Sequence, residues 1–153
     1  MNRMSGVDRP LTVRRIENQL RHLEVARAYR SLGNMIHFEF GNLAATSPSG
    51  RTAGEFGLMI ERASWRIERF GTLLASDAER SERVNGALRK LSGKRIVRAS
   101  FKRALTRLLF EQGYKLSIRP ATGLYGVSCL ENWVLFERDR VALFLGRDNC
   151  RVV

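Results

Sequence analysis

Short runs in which apolar and polar residues alternate, set apart by glycine-bearing turns, constrain this chain more than any other feature. In MIHFEF (35–40), Ile36, Phe38 and Phe40 face one way while His37 and Glu39 face the other. LTRLLF (105–110), EQG and YKLSIR (114–119) read as a hairpin, with Thr106, Leu108 and Phe110 inward beside Leu116 and Ile118. A side-chain period of two belongs to a strand with one buried face, whereas a helix would scatter the same residues around its circumference. Val25, Arg27 and Tyr29 alternate in the same way before a turn at 31–34, which predicts a hairpin with MIHFEF. EFGLMI (55–60), WRIER (65–69), KRIVRASF (94–101), NWVLFE (132–137) and VALFL (141–145) complete the strand-like set. Their short connections favour antiparallel pairing.

Two segments carry the helical period instead. Asp8 and Pro10 suit a helix start, and Val13, Ile16, Leu20 and Leu23 form one apolar stripe opposite Arg14, Arg15 and Arg21. Ser76 and Glu79 have capping-box spacing; Val84, Ala87, Leu88 and Leu91 follow as a buried face, and Gly93 stands at the C-terminal stop. The expectation is an α+β fold with a mainly antiparallel, curled sheet (a partly open barrel or sandwich), an N-terminal helix and one central helix. At 153 residues it reads as a single domain 1–153. Within it lie the N-terminal helix at 1–22, strands at 23–75, the central helix at 76–92 and an antiparallel meander at 94–145. Residues 44–54 and 119–130 read as exposed loops. No apolar run reaches a membrane span, no secretory signal opens the chain, and Cys129 and Cys150 are too few for a disulfide framework. A cytoplasmic protein with reduced thiols, no membrane and no bound metal is expected.

The charge is lopsided: 27 Lys and Arg face 15 Asp and Glu, a net +12. Nine basic residues and no acidic one lie between Arg83 and Phe110. On the strand, Val97, Ala99 and Phe101 are expected to face inward, leaving Lys94, Arg98 and Lys102 outward with Arg107 joining them from the next strand. With Arg89, Lys90 and Arg103 these make a basic patch suited to an acidic partner. Arg outnumbers Lys 23 to 4, a bias that codon usage in a GC-rich genome also produces.

Catalysis finds little support. His22 and His37, the two imidazoles, lack a G-x-S-x-G or similar companion. The cysteines have no metal-ligand spacing. Glu55 and Glu61 lie about 20 Å apart along an extended strand. Glu39 and Glu68 could meet across strands, yet Arg66 and Arg69 offer simpler partners. Neither Gly54-x-x-Gly57 nor Gly123-x-x-Gly126 has the Lys-Ser/Thr of a phosphate cradle. No enzyme and no cofactor are expected. Trp65 and Arg66, with Trp133 and Phe136, form a stacking surface for bases on one reading and core on the other.

The runs RSLGNMIHFEFG (30–41), GEFGLMIERASWRIER (54–69), LRKLSGKRIV (88–97), TRLLFEQGYKLSI (106–118) and ENWVLFE (131–137), in this order, resemble a widespread bacterial family of small uncharacterised proteins. The resemblance spans residues 20–145 and carries no catalytic residue. It implies an interaction or immunity-like role, since members are often encoded in mobile or accessory gene contexts. Met59 stands where many similar sequences have a polar residue or His, and one extra residue precedes Trp65. Relatives are commonly neutral or acidic, which makes the basicity a property of this chain.

The function expected is therefore a non-catalytic binding protein that docks an acidic protein partner through the helix–strand patch. Sequence-nonspecific RNA or DNA binding through the same patch is the alternative, and a small-molecule site inside the curled sheet a third. The N-terminal stripe could pack on its own sheet or on a second copy in a homodimer, and the sequence leaves both open.

Overall fold

The computed structural model describes residues 5–45, 52–102, 105–120, 132–138, 140–146 and 151–152. Helix α1 (Ser5–Leu20) is followed by β1 (Val25–Arg30), β2 (Ile36–Phe40), the short pair β3 (Ala44–Ala45) and β4 (Thr52–Ala53), then β5 (Phe56–Glu61), β6 (Ala63–Arg69) and β7 (Thr72–Ser76). Helix α2 (Ser81–Leu91) precedes β8 (Ile96–Lys102), β9 (Leu105–Phe110), β10 (Tyr114–Pro120), β11 (Asn132–Glu137), β12 (Arg140–Gly146) and β13 (Arg151–Val152). Every pairing is antiparallel. The strands form a six-stranded sheet, β1-β2-β5-β11-β12-β13, a five-stranded sheet, β7-β6-β10-β9-β8, and the β3-β4 ribbon. Arg62, at a φ of 51°, turns the chain from β5 in one sheet to β6 in the other.

The alternation in the strands places one apolar face of each sheet against the other, and Phe38, Leu58, Leu108, Leu116 and Trp133 share one buried cluster. Trp133 on β11 donates its indole N–H to Thr106 Oγ1 on β9 at 2.8 Å, a bond that crosses the core from sheet to sheet. Two facing sheets leave open sides where their edge strands part. Helix α1 packs on β8 and β13, the edges on one side, and α2 packs on β1 and β7, the edges on the other. Each helix buries its apolar stripe there: Ile16 and Leu20 from α1, and Val84, Ala87, Leu88 and Leu91 from α2. The N-terminal stripe thus packs into its own chain.

The α+β order, the dominant antiparallel sheet and the two helices agree with expectation. Several local details do not. Helix α1 begins at Ser5, ahead of Asp8. The central helix starts at Ser81 and not at Ser76, because β7 continues its hairpin with β6 through the Arg66–Ser76 pair. The capping box is therefore not made. Ser76 Oγ accepts the Ala78 amide at 3.3 Å, and Glu79 pairs with Arg83 at 3.6 Å. Within the stretch 44–54, β3 and β4 pair as a small ribbon, while 46–51 lie outside the described residues. Of 119–130, Arg119 and Pro120 end β10, and 121–130 likewise fall outside. Val97 is 50% exposed, because a bulge between Ile96 and Arg98 resets the strand's parity and turns Ile96 inward in its place.

The β6–β7 turn holds Phe70 at a φ of 47° and Gly71 at 80°, with Phe70 76% exposed. Left-handed backbone suits Gly or Asn and penalises a bulky side chain. Phe70→Asn is expected to raise stability by about 0.5–1 kcal/mol, read as a higher urea midpoint at unchanged slope.

Candidate anion-docking surface

The outward residues of the five-stranded sheet fall into rows that only the strand register reveals. One row runs Arg98–Leu109–Lys115–Glu68 across β8, β9, β10 and β6. The next runs Ser100–Arg107–Ser117–Arg66–Ser76 and continues onto β7. Lys102 beside Leu105, and Arg119 beside Ser64, extend the face further. Arg107 thus has Arg98 and Lys102 as its two diagonal neighbours on β8, roughly 7–8 Å away for such pairs. Glu68 is the one carboxylate in these rows. It is already engaged by Arg66 at 3.4 Å and Lys115 at 3.1 Å. Arg98, Lys102, Arg107 and Arg119 are exposed and make no ion pair among the described residues.

The basic window does not act as one patch. Arg83 is consumed in tying α2 to β7, donating to the Leu74 carbonyl at 2.7 Å and pairing with Glu79. Arg89 and Lys90 are exposed on α2, and Lys90 lines a groove with Leu73 and Leu74 of β7. Strand β7 is the edge opposite β8, so these helix cations flank the far side of the sheet from Arg98 and Lys102. Four strand spacings separate those edges, roughly 19 Å. Lys94 is turned to the start of β10, its Nζ 5.7 Å from the Tyr114 ring centre, with Arg69 over the same ring at 4.9 Å. Arg95 pairs with Glu24 at 3.5 Å. Arg103 lies outside the described residues.

The stacking surface is not formed. Trp65 is 4% exposed and Trp133 fully buried, because both occupy inward positions of their strands; Arg66 is exposed and Phe136 half-buried. Lys115 and Arg119, outward in the β9–β10 hairpin, and Arg66, brought beside Ser117 by the β6–β10 register, add to the sheet face. Arg14 of α1 and Arg21 in the turn after it are a further addition. They line a groove of about 720 Å³ beside β8, together with Asn18, Arg98, Ser100 and Lys102.

Glu39, Glu55 and His37 are engaged structurally. Glu39 Oε2 accepts the Gly54 amide at 2.8 Å, and Glu55 Oε2 accepts the Asn42 amide at 2.9 Å. Glu39 and Glu68 lie in different sheets. Ser31 Oγ and His37 Nε2 stand 2.8 Å apart, a nucleophile–base distance that sequence spacing did not suggest. This bond ties the β1–β2 turn to β2, and the imidazole stacks on its cross-strand neighbour Tyr29 at 4.7 Å. Neither Ser31 nor His37 lines the grooves described here. Among the described residues, no helix is long and apolar enough to cross a membrane. No family model matches the chain, and no curated protein or solved structure matches it either.

Proposed function

We propose that this chain is a non-catalytic docking protein that takes an acidic protein partner on the outer face of its five-stranded sheet. The observation that carries this reading is the Arg98–Arg107–Lys102 cluster, without an ion pair among the described residues and interleaved with the half-exposed Leu105 and the exposed Leu109 and Val97. Arginine beside apolar side chains is the mixture that protein interfaces favour. The burial of both tryptophans removes them as the aromatic platform that single-stranded nucleic acid uses. Such docking fits the interaction or immunity-like role that the family resemblance implies, in the cytoplasm.

Phosphate-backbone binding of RNA or DNA is the second reading. It draws on the alternation of Ser100 and Ser117 hydroxyls with the Arg107 and Arg66 guanidinium groups, donors of the kind that contact phosphates.

The test compares two triple variants of equal net charge. Arg98→Glu, Lys102→Glu and Arg107→Glu change the face, while Arg15→Glu, Arg80→Glu and Arg140→Glu change exposed sites elsewhere. On immobilised polyglutamate, the first triple is expected to lose about tenfold or more in affinity relative to the second, since each reversed charge turns attraction into repulsion. Circular dichroism should show both folded. Equal retention overturns the assignment of this face. On duplex DNA, log affinity falling with log salt at roughly −0.9 per neutralised phosphate, with tighter binding than polyglutamate, would move the function to nucleic acid.

A further inference from the structure

The groove between α1 and β8 has two cationic banks. On α1 and in the turn just after it, Arg14, Asn18 and Arg21 line the same side of the groove, with about 10 Å between the two arginines at helical rise. On the strand, Arg98, Ser100 and Lys102 share one face, with about 14 Å between the two cations. Each bank therefore presents cation, neutral hydrogen-bonding group, cation. The remaining polar side chain, Glu17, is the one acid in the lining. Its Oε2 accepts the Phe101 amide at 2.9 Å, which fastens α1 to the edge of β8. None of the four cations makes an ion pair among the described residues.

We infer that this groove holds an extended acidic segment of the partner protein, lying along β8 with its carboxylates facing both banks. The inference rests on the docking function proposed above and names how the partner is gripped. A small monoanion reaches one cation pair and leaves the other idle. An extended peptide presents side chains on one face every two residues, so carboxylates four residues apart repeat at the interval of Arg98 and Lys102, the strand beside them. Its intervening carbonyls and hydroxyls meet Asn18 and Ser100 at the midpoints. Because α1 already covers the edge of β8, the segment is held by side chains and not by strand addition.

The probe is a short labelled peptide of alternating Glu and Thr, titrated against the full chain. The peptide is expected to bind, to shift amide resonances at Arg14–Arg21 and Val97–Lys102, and to lose about tenfold in affinity in the double variant Arg14→Glu, Arg21→Glu. The pair Arg15→Glu, Arg80→Glu, equal in net charge, should stay within about twofold of the parent. No binding, or equal loss in both pairs, overturns the groove assignment. The broader docking reading survives that result if the Arg98, Lys102 and Arg107 reversals still weaken polyglutamate binding, and falls with it if they do not. A helical Glu–Ala peptide of equal charge that binds as tightly overturns the extended form. A single-stranded oligonucleotide of equal charge that binds more tightly, and is weakened by the Arg14 and Arg21 reversals, overturns the protein partner.

Discussion

Trp133→Ala is expected to destabilise the fold by about 3–5 kcal/mol, enough to leave a large unfolded fraction in a domain of ordinary stability. Trp133 is fully buried on β11, in the middle of the six-stranded sheet, and it is the largest of the fully buried side chains among the described residues. Its removal leaves a cavity that strands on both sides hold open, since their own pairing prevents collapse. It also strips Thr106 of its partner. Thr106 is the one buried polar side chain in the described core, and its hydroxyl accepts the indole N–H. A buried polar group left unpaired costs about 1–3 kcal/mol. The reciprocal change, Thr106→Val, should therefore cost about that amount while leaving side-chain volume nearly unchanged. Combining Thr106→Val with Trp133→Phe should cost less than the two single changes summed, because the pair is removed together. Urea unfolding monitored by far-ultraviolet dichroism measures all of these. Strict additivity would show that the bond between the sheets contributes nothing of its own.

The second large effect is expected at Gly54, just before β5. A Cβ there would lie 2.6 Å from the Phe40 carbonyl oxygen, 2.9 Å from the Phe40 nitrogen and 3.1 Å from the Phe56 carbonyl oxygen. All three are backbone atoms of paired strands, so no side chain can swing aside to admit the methyl. The Gly54 amide is also held by Glu39 Oε2 at 2.8 Å. Gly54→Ala should cost about 2–3 kcal/mol, the upper part of the overpacking range. Gly33→Ala is the useful comparison, since nothing stands near its Cβ and only its φ of 74° resists the change. A smaller loss at Gly33 than at Gly54 would confirm that close approach, and not turn geometry, makes the glycine before β5 necessary. In sequence Gly54 reads as a loop breaker.

That contrast shows where local pattern was sufficient and where it was not. The inward faces of β2, β9 and β10 could be read directly, because period-two alternation is a local property and one buried face fixes it. TLLAS in β7 carried no such alternation, and the Ser76–Glu79 spacing imitated a helix cap. The bulge at β8 reversed the sense of Val97, and a bulge depends on a partner strand that the local sequence does not contain. The docking face divides in the same way. Arg98, Lys102 and Arg107 were legible as outward cations on neighbouring strands. Arg66 joined them only through the β6–β10 register, which pairs residues some fifty positions apart, whereas Lys115 and Arg119 are outward positions of the β9–β10 hairpin itself. The polar face of α1 was visible in Arg14, with Arg21 in the turn after it. Its position against β8 was not, because helix docking depends on the open side that two sheets leave between them.

That open side also bears on how the chain acquires its structure. Helix α1 lies against β8 and β13, so the first described element is seated partly on the last. Pairings such as β2 with β5 and β8 with β9 can form as soon as their segments exist. The seam around α1 cannot be completed before β13 has emerged from the ribosome. Until then α1 lacks part of its cover, and the edge of β12 lacks its neighbour. Contacts of such long sequence separation close late and slow folding. The apolar edge around α1 thus stays unsealed until β13 is made, and unsealed apolar surface beside an unpaired strand edge is the condition that invites aggregation.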